Sequence, residues 1–525
     1  MPYFDTATLT EESLTQMSAT WVSNIYNGLD CCVTLEVYEE LMKELADSPQ
    51  EVKGTYRDAL RKQAPFMEMA MRGIKVSPEA KRKAIENFEE TRARLQENLD
   101  KITFEVFGVK VNPNSPLQVK NLFYGILGLK EVKSRNAKGE YVVSVDEEAL
   151  LSLRMNFYAE PFVNYILAIR ELRKKISFLQ TEIDTDGRFR TSLNIAGTVT
   201  GRTASSESDF GTGSNLQNVD RVLRSIFVAD PGMIFVNVDL EQADARNLAA
   251  IIWNMFYGSN EYTIEQIGAF LDACESGDLH TRVTSMTWDH LPWTGDLKAD
   301  KVIAQSPFGD GDSYRDKAKK LGHGTNYLGT PRTMSVHTKT AIRVIADFQK
   351  RYFSAFPLIP EMHKQTDRQL RETGTITTLF GRRRMFFGRL DEAKTLRDAV
   401  AYGPQSMTGH EMDMGIIQLW ESPFYHESGC QLLIQVHDSI LFQVPYPNHA
   451  EVINTALRLL KFNYTLKGGR EFSVPLEAKV GWNWGDVQKD KTGNVIGNHM
   501  GLDKFKGVTD PRNPPAELVR LRDAK

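Results

Sequence analysis

Two aspartates, Asp239 and Asp438, each stand inside an apolar stretch of the sequence. Asp239 closes the run 233–239, and Asp438 follows His437 within the run 432–442. In-line displacement at phosphorus uses two Mg²⁺ ions about 3.5–4 Å apart, which stabilise the attacking and leaving oxygens. Because these hard cations prefer oxygen ligands, two carboxylates must meet at one point. We expect a strand ending in Asp239 and a tight hairpin with Asp438 at its bend to bring them together on buried strands.

A stripe of polar residues between the two aspartates repeats every four positions. On a helix this spacing forms one slowly rotating face, whose cations could follow a triphosphate. The stripe consists of Arg315, Lys319, His323 and Tyr327. The nearby Lys317 and Lys320 favour the alternative of a solvated basic helix. Gly322 and Gly324 indicate instead that something approaches this backbone closely, because glycine in a helix costs about 1 kcal/mol relative to alanine. A single aspartate is usually a turn or cap residue, but two with such a stripe favour a transfer site.

The sequence around these residues resembles the family A DNA polymerases, of the DNA polymerase I type, and is most similar to a phage member. The resemblance runs from about Tyr26 to Asp486 and rests on five ordered segments, which makes it strong where each alone would be weak. The segments are 239–246, similar to motif A; 315–329, similar to motif B on the fingers helix; 435–439, similar to motif C; 200–206 with 215–218, similar to a segment that contacts the primer–template minor groove; and 397–405, similar to a second set of minor-groove and template contacts.

The resemblance implies a template-directed DNA polymerase that adds deoxynucleotides to a primer 3′ end, with primer–template DNA and deoxynucleoside triphosphates as partners. It implies that the catalytic Asp239 and Asp438, with the backbone carbonyl of Leu240, bind two Mg²⁺ ions, for which Mn²⁺ can substitute. The implied nucleotide-binding residues are Arg315, Lys319, His323, Tyr327, Asp244 and Gln242. The implied DNA-binding residues are Arg202, Asn215, Gln217, Arg397, Gln405 and His437. Donors in the minor groove can bind any correctly shaped base pair, because acceptors stand at similar positions in all of them.

Two of the implied nucleotide-binding positions depart from the family pattern. Asp244 stands where the family usually has the Glu that crowds the ribose 2′ position, so the stringency of sugar selection stays open. His323 replaces the usual Phe or Tyr against the sugar, so the family's behaviour toward dideoxy terminators does not carry over.

The N-terminal segment around Tyr26 and Asp30 resembles the last motif of the family's 3′–5′ exonuclease. The exonuclease also needs an Asp-x-Glu pair and a further Asp upstream, and these are missing from the sequence as given. We therefore expect this chain alone not to proofread, either because it is a fragment or because a separate 3′–5′ exonuclease subunit is its partner. The alternative is that both residues merely cap and pack a helix.

The composition excludes a uniformly basic DNA-binding surface, because the 525 residues carry a formal net charge of −4. Positive charge must be local, as in the runs 170–175 and 382–384, where it would neutralise phosphates. Four cysteines, including the adjacent Cys31 and Cys32, give no disulfide framework or zinc spacing. No signal peptide or membrane span is expected, and a cytoplasmic location fits best, in the host cytoplasm if the protein is encoded by a phage.

The expected fold class is α/β (α+β) and multidomain, a right-hand polymerase with an antiparallel palm sheet and helical fingers and thumb. The expected domains are an exonuclease-like remnant at 1–50, thumb and connecting helices at 51–188, palm at 189–249 and 391–486, fingers at 250–390, and an irregular C-terminal tail at 487–525. The stretch between Arg246 and Arg315 looks expanded and contains Trp288 and Trp293, with no role assigned to it.

Two alternative functions remain at this level. A single-subunit phage-type RNA polymerase shares the palm, and its motif C commonly reads His-Asp-Ser, as at 437–439 here. Asp244 and the segment 200–202 favour DNA synthesis over it. A non-catalytic DNA-binding protein would not need both metal-binding carboxylates beside a phosphate-binding stripe.

Overall fold

The computed structural model describes residues 10–136, 139–309, 311–490, 493–510 and 512. Within them the chain combines α-helices with short antiparallel strands. The helices before residue 240 are α1 (Glu11–Thr15), α2 (Ala19–Asp47), α3 (Gln50–Arg72), α4 (Pro78–Phe107), α5 (Pro116–Lys120), α6 (Glu147–Leu153) and α7 (Glu160–Leu179). The later helices are α8 (Ala243–Phe256), α9 (Ile264–Glu275), α10 (Leu279–Thr287), α11 (Leu297–Ala304), α12 (Tyr314–Asn326), α13 (Pro331–Thr338), α14 (Ile342–Ala355), α15 (Leu358–Thr373), α16 (Ala393–Glu421), α17 (Pro423–Glu427) and α18 (His449–Leu460).

The strands are short outside one central sheet. They are β1 (Ile74–Lys75), β2 (Lys133–Arg135), β3 (Tyr141–Val143), β4 (Arg188–Phe189), β5 (Ser192–Asn194), β6 (Ala204–Ser206), β7 (Met233–Leu240), β8 (Pro307–Gly309), β9 (Asp312–Ser313), β10 (Thr375–Thr377), β11 (Arg383–Met385), β12 (Gln431–Val436), β13 (Ser439–Pro445), β14 (Asn463–Leu466), β15 (Arg470–Ser473), β16 (Leu476–Gly481), β17 (Gln488–Lys489), β18 (Val495–Gly497) and β19 (Asp503–Lys504).

The central sheet has five antiparallel strands in the order β12-β13-β7-β16-β19. Side chains alternate across β7 because successive residues of a strand point to opposite faces. Ile234, Val236 and Val238 join the larger core, which also contains residues of α8 and α16. Phe235 joins a second core on the other face, so Asp239 shares its parity with residues of that face.

The end of the sheet carries a difference from the expected domain plan. Residues 487–525 were expected to form an irregular tail, but β17 and β18 form a hairpin and β19 pairs with β16 as the fifth strand of the sheet. Residues 511 and 513–525 lie outside the described part of the chain. These strands could not be recognised in the sequence, because each is only two or three residues long and lies in a Lys- and Gly-rich stretch.

The break expected between two long N-terminal helices is confirmed. Gly73 ends α3 with φ 64° and lies so close to the backbone of Phe189 that a Cβ would stand 2.9 Å from its carbonyl oxygen. Ser77 then caps α4 by accepting a hydrogen bond from the amide of Ala80 at 3.3 Å. Glycine is favoured at position 73 because it adopts positive φ without steric cost.

Helices α4 to α7 form a unit with its own core, which includes Leu99, Phe123 and Ile166. Arg170, from the basic run 170–175, is used inside this unit. Its guanidinium donates hydrogen bonds of 2.7 Å to the carbonyl of Pro113 and 2.7 Å to that of Val145. Part of that run therefore supports the fold rather than facing a phosphate backbone.

The segment expected to be an exonuclease remnant forms α1 and α2 within the described residues. None of the described α2 side chains is buried, and Tyr26 is 63% exposed. Tyr26 and Asp30 both lie inside α2 rather than at its ends, and both are exposed, so the structure does not support the alternative that they cap and pack a helix. Residues 1–9 lie outside the described part of the chain.

The four cysteines are unbonded, with Cys31 and Cys32 exposed and Cys274 and Cys430 buried. Among the described residues, no helix combines the length and apolar character needed to cross a membrane.

Candidate active site

The two predicted carboxylates meet at one end of the central sheet. Asp438 is the second residue of a two-residue turn between β12 and β13, and Ser439, which follows it, pairs directly with Asp239. The amide of Leu240 donates a 3.1 Å hydrogen bond to the carbonyl of Asp438. The expectation of a strand end beside a tight hairpin is confirmed, and this backbone contact fixes the two segments to each other.

The turn that carries Asp438 has an uncommon backbone conformation. His437 has a φ of 55°, which is costly for a residue with a side chain. The side-chain amide of Gln435 donates a 2.5 Å hydrogen bond to the backbone carbonyl of His437. Gln217 in turn donates a 3.1 Å bond to the carbonyl of Gln435. Two buried glutamines therefore hold the turn in place: Gln435 bonds to the turn directly, and Gln217 bonds to Gln435.

The environment of Asp239 opposes its ionisation in the absence of a cation. Burial, followed by the charge of Asp438, raises the pKa of Asp239 to about 6, and Lys479 and Arg224 act in the opposite direction. The side-chain amide of Asn237 donates a 2.8 Å hydrogen bond to Oδ2 of Asp239.

Asn237 is itself held by the indole of Trp484, which donates to its Oδ1 at 3.3 Å. The guanidinium of Arg224 lies 4.6 Å from the centre of the Trp484 ring. One oxygen of Asp239 is thus oriented by packed neighbours.

The donor set of this pair fits a hard divalent cation. Two adjacent carboxylates, one of them disfavoured as an anion by the other, would each be stabilised by a shared positive charge. In the described part of the chain, no cluster of three or more His, Cys, Asp or Glu side chains could hold a metal alone. A cation at Asp239 and Asp438 would therefore need further oxygen ligands from a substrate or water.

A cavity of about 1190 Å³ opens beside the carboxylates and brings together most of the predicted substrate-binding residues. Its walls come from the end of β7, the start of α8, and helices α10, α11 and α12. The predicted residues that line it are Asp239, Leu240, Gln242, Asp244, Arg315, Lys319, His323, Tyr327 and Asp438. The stripe predicted from the four-residue spacing therefore faces the carboxylates.

The first cation of the stripe is held by an acidic residue that sequence reasoning missed. Asp278 accepts hydrogen bonds from Nε of Arg315 at 2.9 Å and from its Nη2 at 3.0 Å. It also caps α10 by accepting from the amides of His280 and Thr281. Burial opposes ionisation of Asp278, but the bonds from Arg315 outweigh it and leave the pKa of Asp278 below its ordinary value.

His280 also lines the cavity and was not predicted. Burial, followed by the positive charges of Arg315 and Lys319, lowers the pKa of His280 to about 4. The imidazole is therefore neutral near pH 7 and can donate a hydrogen bond without adding charge. The only sequence signal was the short run Asp278-Leu279-His280 before an amphipathic helix, which many helix starts share.

Lys317 and Gly324, which lie on α12 outside the stripe, have structural roles. Lys317, which favoured a solvated helix in the sequence, is buried and forms a 3.0 Å ion pair with Asp312. A Cβ on Gly324 would stand 2.9 Å from Cε of Met334. The close approach to this backbone is therefore made by the protein's own side chain.

The cavity wall near the end of the stripe is polar, and the protein does not use all of its hydrogen-bonding groups. The rings of His323 and Tyr327 make an edge-to-face contact with centroids 4.8 Å apart. Oε1 of Gln242 is buried and without a hydrogen-bond partner in the described part of the chain, and the hydroxyl of Tyr327 is buried beside Asp244. Burial, followed by the charge of Asp244, raises the pKa of Tyr327. Unsatisfied polar atoms in a cavity wall indicate a site that a polar ligand completes.

Arg202 connects two of the predicted DNA-binding segments. Its Nε donates a 3.1 Å hydrogen bond to the carbonyl of Gln405, and its Nη2 lies 3.3 Å from Oδ1 of Asp244. Asp244 also accepts a 3.1 Å bond from the hydroxyl of Thr408. The nucleotide-binding and DNA-binding predictions therefore share one polar network.

The remaining predicted DNA-binding residues are more dispersed. Asn215 caps a short helical turn and accepts a 2.6 Å bond from Ser205. His437 is exposed at the turn; burial of part of its ring, followed by the charges of Arg202 and Arg224, lowers its pKa. Arg397 is exposed on the first turns of α16, two turns before Gln405, and does not line the cavity.

Comparison with known proteins identifies the family. Residues 82–486 match the family model described as DNA polymerase family A, and the chain belongs to this family. It is 27% identical over 402 residues to the thermostable DNA polymerase I of Thermus thermophilus, covering 73% of this chain and 42% of that protein. It is 26% identical over 482 residues to the DNA polymerase I of Chloroflexus aurantiacus, covering 88% of this chain and 46% of that protein. The chain spans less than half the length of these curated relatives.

A solved structure shows the same fold. The POL domain of Pol1 from M. smegmatis, in complex with DNA primer-template and dNTP, superposes with a TM-score of 0.65 at 21% sequence identity. The match covers 81% of this chain and 69% of that chain. The fold is therefore the mixed helix and strand polymerase domain of this family, and the relatives named here are bacterial.

Proposed function

We propose that this protein is a template-directed DNA polymerase that extends a primer 3′ end with deoxynucleotides. The observation that carries the proposal is the meeting of Asp239 and Asp438 at a cavity that Arg315 and Lys319 also line. Family membership and the DNA and dNTP bound to the similar M. smegmatis domain support it.

The fold elements divide among the parts of a right-hand polymerase. In this assignment the palm is the five-stranded sheet with α8, α16 and α18, and the fingers are the helices from α9 to α15. The thumb is the unit of α4 to α7. This differs from the expected boundaries in two respects: part of 487–510 belongs to the palm sheet, and α8 belongs with it through the larger core.

Each wall of the cavity has a separate task. Arg315, fixed by Asp278, and Lys319 bind the triphosphate, and the neutral His280 donates a hydrogen bond to it. Tyr327 and His323 pack beside the nucleotide, and Asp244 with Gln242 lies at its sugar. Because Arg315 is held before the nucleotide arrives, little orientation remains to be fixed on binding.

Asp239, Asp438 and the carbonyl of Leu240 would hold two divalent cations, for which Mg²⁺ and Mn²⁺ are the proposed species. When bound, such cations make the primer hydroxyl more acidic and neutralise the charge of the leaving group. The protein contributes the rigid placement of both carboxylates, through the paired strands and the buried glutamines beneath the turn.

Arg202, Gln405, His437 and Arg397 are proposed to contact the primer–template duplex, with Asn215 and Gln217 positioning the backbone beneath them. His437 is exposed on the same turn that carries Asp438. A contact between His437 and the duplex would therefore directly affect the position of the metal-binding carboxylate. A mismatch that displaces the minor-groove acceptors would lose these bonds and slow incorporation.

The sequence resemblance to a phage member is the basis for proposing a role in phage DNA replication in the host cytoplasm. The exposed α2 is the part of the chain to which a separate 3′–5′ exonuclease subunit would be expected to bind. The phage role and the separate exonuclease subunit are proposed from the sequence of this chain, not from its bacterial relatives.

Primer extension on a defined template tests the proposal. Purified protein with Mg²⁺, a labelled primer–template and all four dNTPs should extend the primer to the template end, and chelation with EDTA should stop it. Preference for ribonucleotides would favour an RNA polymerase, and duplex binding without extension under any divalent metal would favour a DNA-binding protein.

A further inference from the structure

The expanded segment between α10 and α12 is packed onto the helix that carries the phosphate-binding stripe. The Trp288 ring lies 5.3 Å from that of Tyr314 and 5.6 Å from that of Phe308, and the last two are 5.0 Å apart. Tyr314 is the first residue of α12 and directly precedes Arg315. Aromatic packing of this kind fixes the segment relative to the start of α12.

Helix α11, within this segment, has a fixed N-terminus. Asp296 caps it by accepting bonds from the amides of Lys298 at 3.1 Å and Ala299 at 2.9 Å. Asp300, one turn later, accepts from the amides of Thr294 at 2.8 Å and Gly295 at 3.2 Å. The preceding loop is therefore bound to the helix, which sets the direction of its side chains.

Two lysines of α11 face the same cavity as the stripe. Lys298 and Lys301 are three residues apart, and so share one face of the helix, and both line the cavity. Nζ of Lys301 lies 3.7 Å from Oδ2 of Asp278, the carboxylate that also binds Arg315. The side chain of Lys301 is 52% exposed, whereas that of Asp278 is 9% exposed. The lysine can therefore turn toward a ligand while the aspartate stays with Arg315.

The cations at this end of the cavity outnumber its carboxylates: Lys298, Lys301, Arg315, Lys319 and Lys320 line it together with Asp278, Asp312 and Asp316. Asp278 is already bonded to Arg315, and Asp312 is paired with Lys320 at 2.8 Å. Within the described part of the chain, Lys298 and Lys319 have no carboxylate at ion-pair distance. Cations in excess of the acids around them form a site for a ligand with several negative charges, such as a polyphosphate.

We propose that Lys298 and Lys301 bind the terminal phosphates of the incoming nucleotide and the pyrophosphate that leaves. The expanded segment is then a second phosphate-binding element, built onto α12 by the aromatic cluster. This inference rests on the proposed polymerase function. In that reaction the bond from the primer 3′ oxygen to the α-phosphorus forms as the α–β bridging bond breaks. Pyrophosphate leaves with the electron pair, and the hydroxyl proton passes to solvent.

The test compares Lys298→Ala, Lys301→Ala and the double variant with wild type. Both lysines are exposed, so their removal takes no packing from the core. The matched control is Lys101→Ala, an exposed lysine of α4 that does not line the cavity. Binding of dNTP is measured on a primer–template with a dideoxy-terminated primer, so that affinity is read without chemistry. Inhibition of extension by inorganic pyrophosphate is measured in parallel.

The double variant should weaken both dNTP binding and pyrophosphate inhibition by about tenfold, as expected for losing two charge-assisted contacts. Lys101→Ala should match wild type, and Lys301→Arg should restore most of the affinity. Lys298→Ala alone should weaken binding by about threefold, although Lys298 has no contact with Asp278, which separates direct binding from mere support of Arg315.

Unchanged dNTP and pyrophosphate affinity in the double variant, with wild type extending primers, would overturn this inference alone. Loss only in Lys301→Ala, with Lys298→Ala normal, would also overturn it in favour of a supporting role for Lys301. Wild-type protein that fails to extend any primer would overturn the proposed function itself.

Discussion

The amide of Leu240 donates a hydrogen bond to the carbonyl of Asp438 at 3.1 Å, where β7 meets the turn between β12 and β13. This bond joins two segments about two hundred positions apart and sets Asp438 beside the residue that precedes Leu240, Asp239. Because Leu240 ends β7 and Asp438 lies in a two-residue turn between two paired strands, the spacing of the carboxylates is set by the sheet rather than by a flexible loop.

The stripe on α12 predicts a specific kinetic defect. Lys319→Ala should lower kcat/KM for dNTP by about ten- to a hundredfold, since a charge that interacts with the triphosphate in the transition state is lost. Steady-state extension with one dNTP measures it, with Lys101→Ala as the control. An unchanged kcat/KM would remove Lys319 from the phosphate-binding set.

The network around Asp244 predicts a change in sugar selection. Asp244→Ala should increase ribonucleotide incorporation relative to deoxynucleotide by about tenfold or more, because the carboxylate next to the proposed sugar site is removed. Thr408→Val removes one hydrogen bond to Asp244 but leaves its contact with Arg202, so the effect should be smaller. Competition between one dNTP and its ribonucleotide measures both, and equal discrimination in all three proteins would argue against this role for Asp244.

Buried Glu411 predicts a pH-dependent stability. Burial raises the pKa of Glu411 to about 8, and its carboxyl group is bonded to Asn247 at 2.9 Å and Tyr464 at 3.2 Å. The folded protein keeps this proton while the unfolded chain loses it above about 4.5, so stability from this group falls as pH rises from about 4.5 to 8.

Glu411→Gln should therefore stabilise the protein at pH 8 more than at pH 5.5, because glutamine does not ionise, its oxygen can accept from Asn247, and its NH2 can donate to the Tyr464 hydroxyl. Thermal unfolding of both proteins at the two pH values measures this difference. A change in Tm that is the same at both values would contradict the assignment.

The buried ion pair of Lys62 and Asp413, 2.6 Å apart, joins α3 to α16. Lys62→Met should destabilise the protein by about 3–5 kcal/mol, because it leaves a buried carboxylate without its partner. The double variant Lys62→Met with Asp413→Leu should recover much of that loss, as measured by denaturant unfolding. A double variant no more stable than Lys62→Met would show that packing, not charge, explains the cost.

The sequence was informative where a residue's type and its neighbours both carried a chemical signal. Asp239 and Asp438 stood in apolar runs, and the stripe had helical spacing, so their convergence followed from strand and helix periodicity with the family resemblance. Asp278 and His280 were missed because a cap residue followed by histidine resembles an ordinary helix start. Their role depends on the packing of α10 against α12, which no local pattern encodes.

Two further misses have physical causes. Lys317 looked solvated because charged residues are usually exposed, yet its pairing with Asp312 allows it to be buried. Strand β19 was missed because two residues cannot show an alternating pattern, and its place in the sheet depends on β16 offering a free edge. The role of the expanded segment also required the structure, since the aromatic contacts that direct α11 toward the cavity join residues on both sides of it.

Single-turnover primer extension by Asp239→Asn and Asp438→Asn tests whether these two carboxylates bind the cations that transfer requires. Both substitutions keep the size of the side chain and remove the negative charge that the proposed cations require. Each variant should bind primer–template with an affinity close to wild type and lose extension by at least about a thousandfold. Extension by either variant within a few-fold of the wild-type rate, at equal DNA binding, would contradict this role of the two carboxylates.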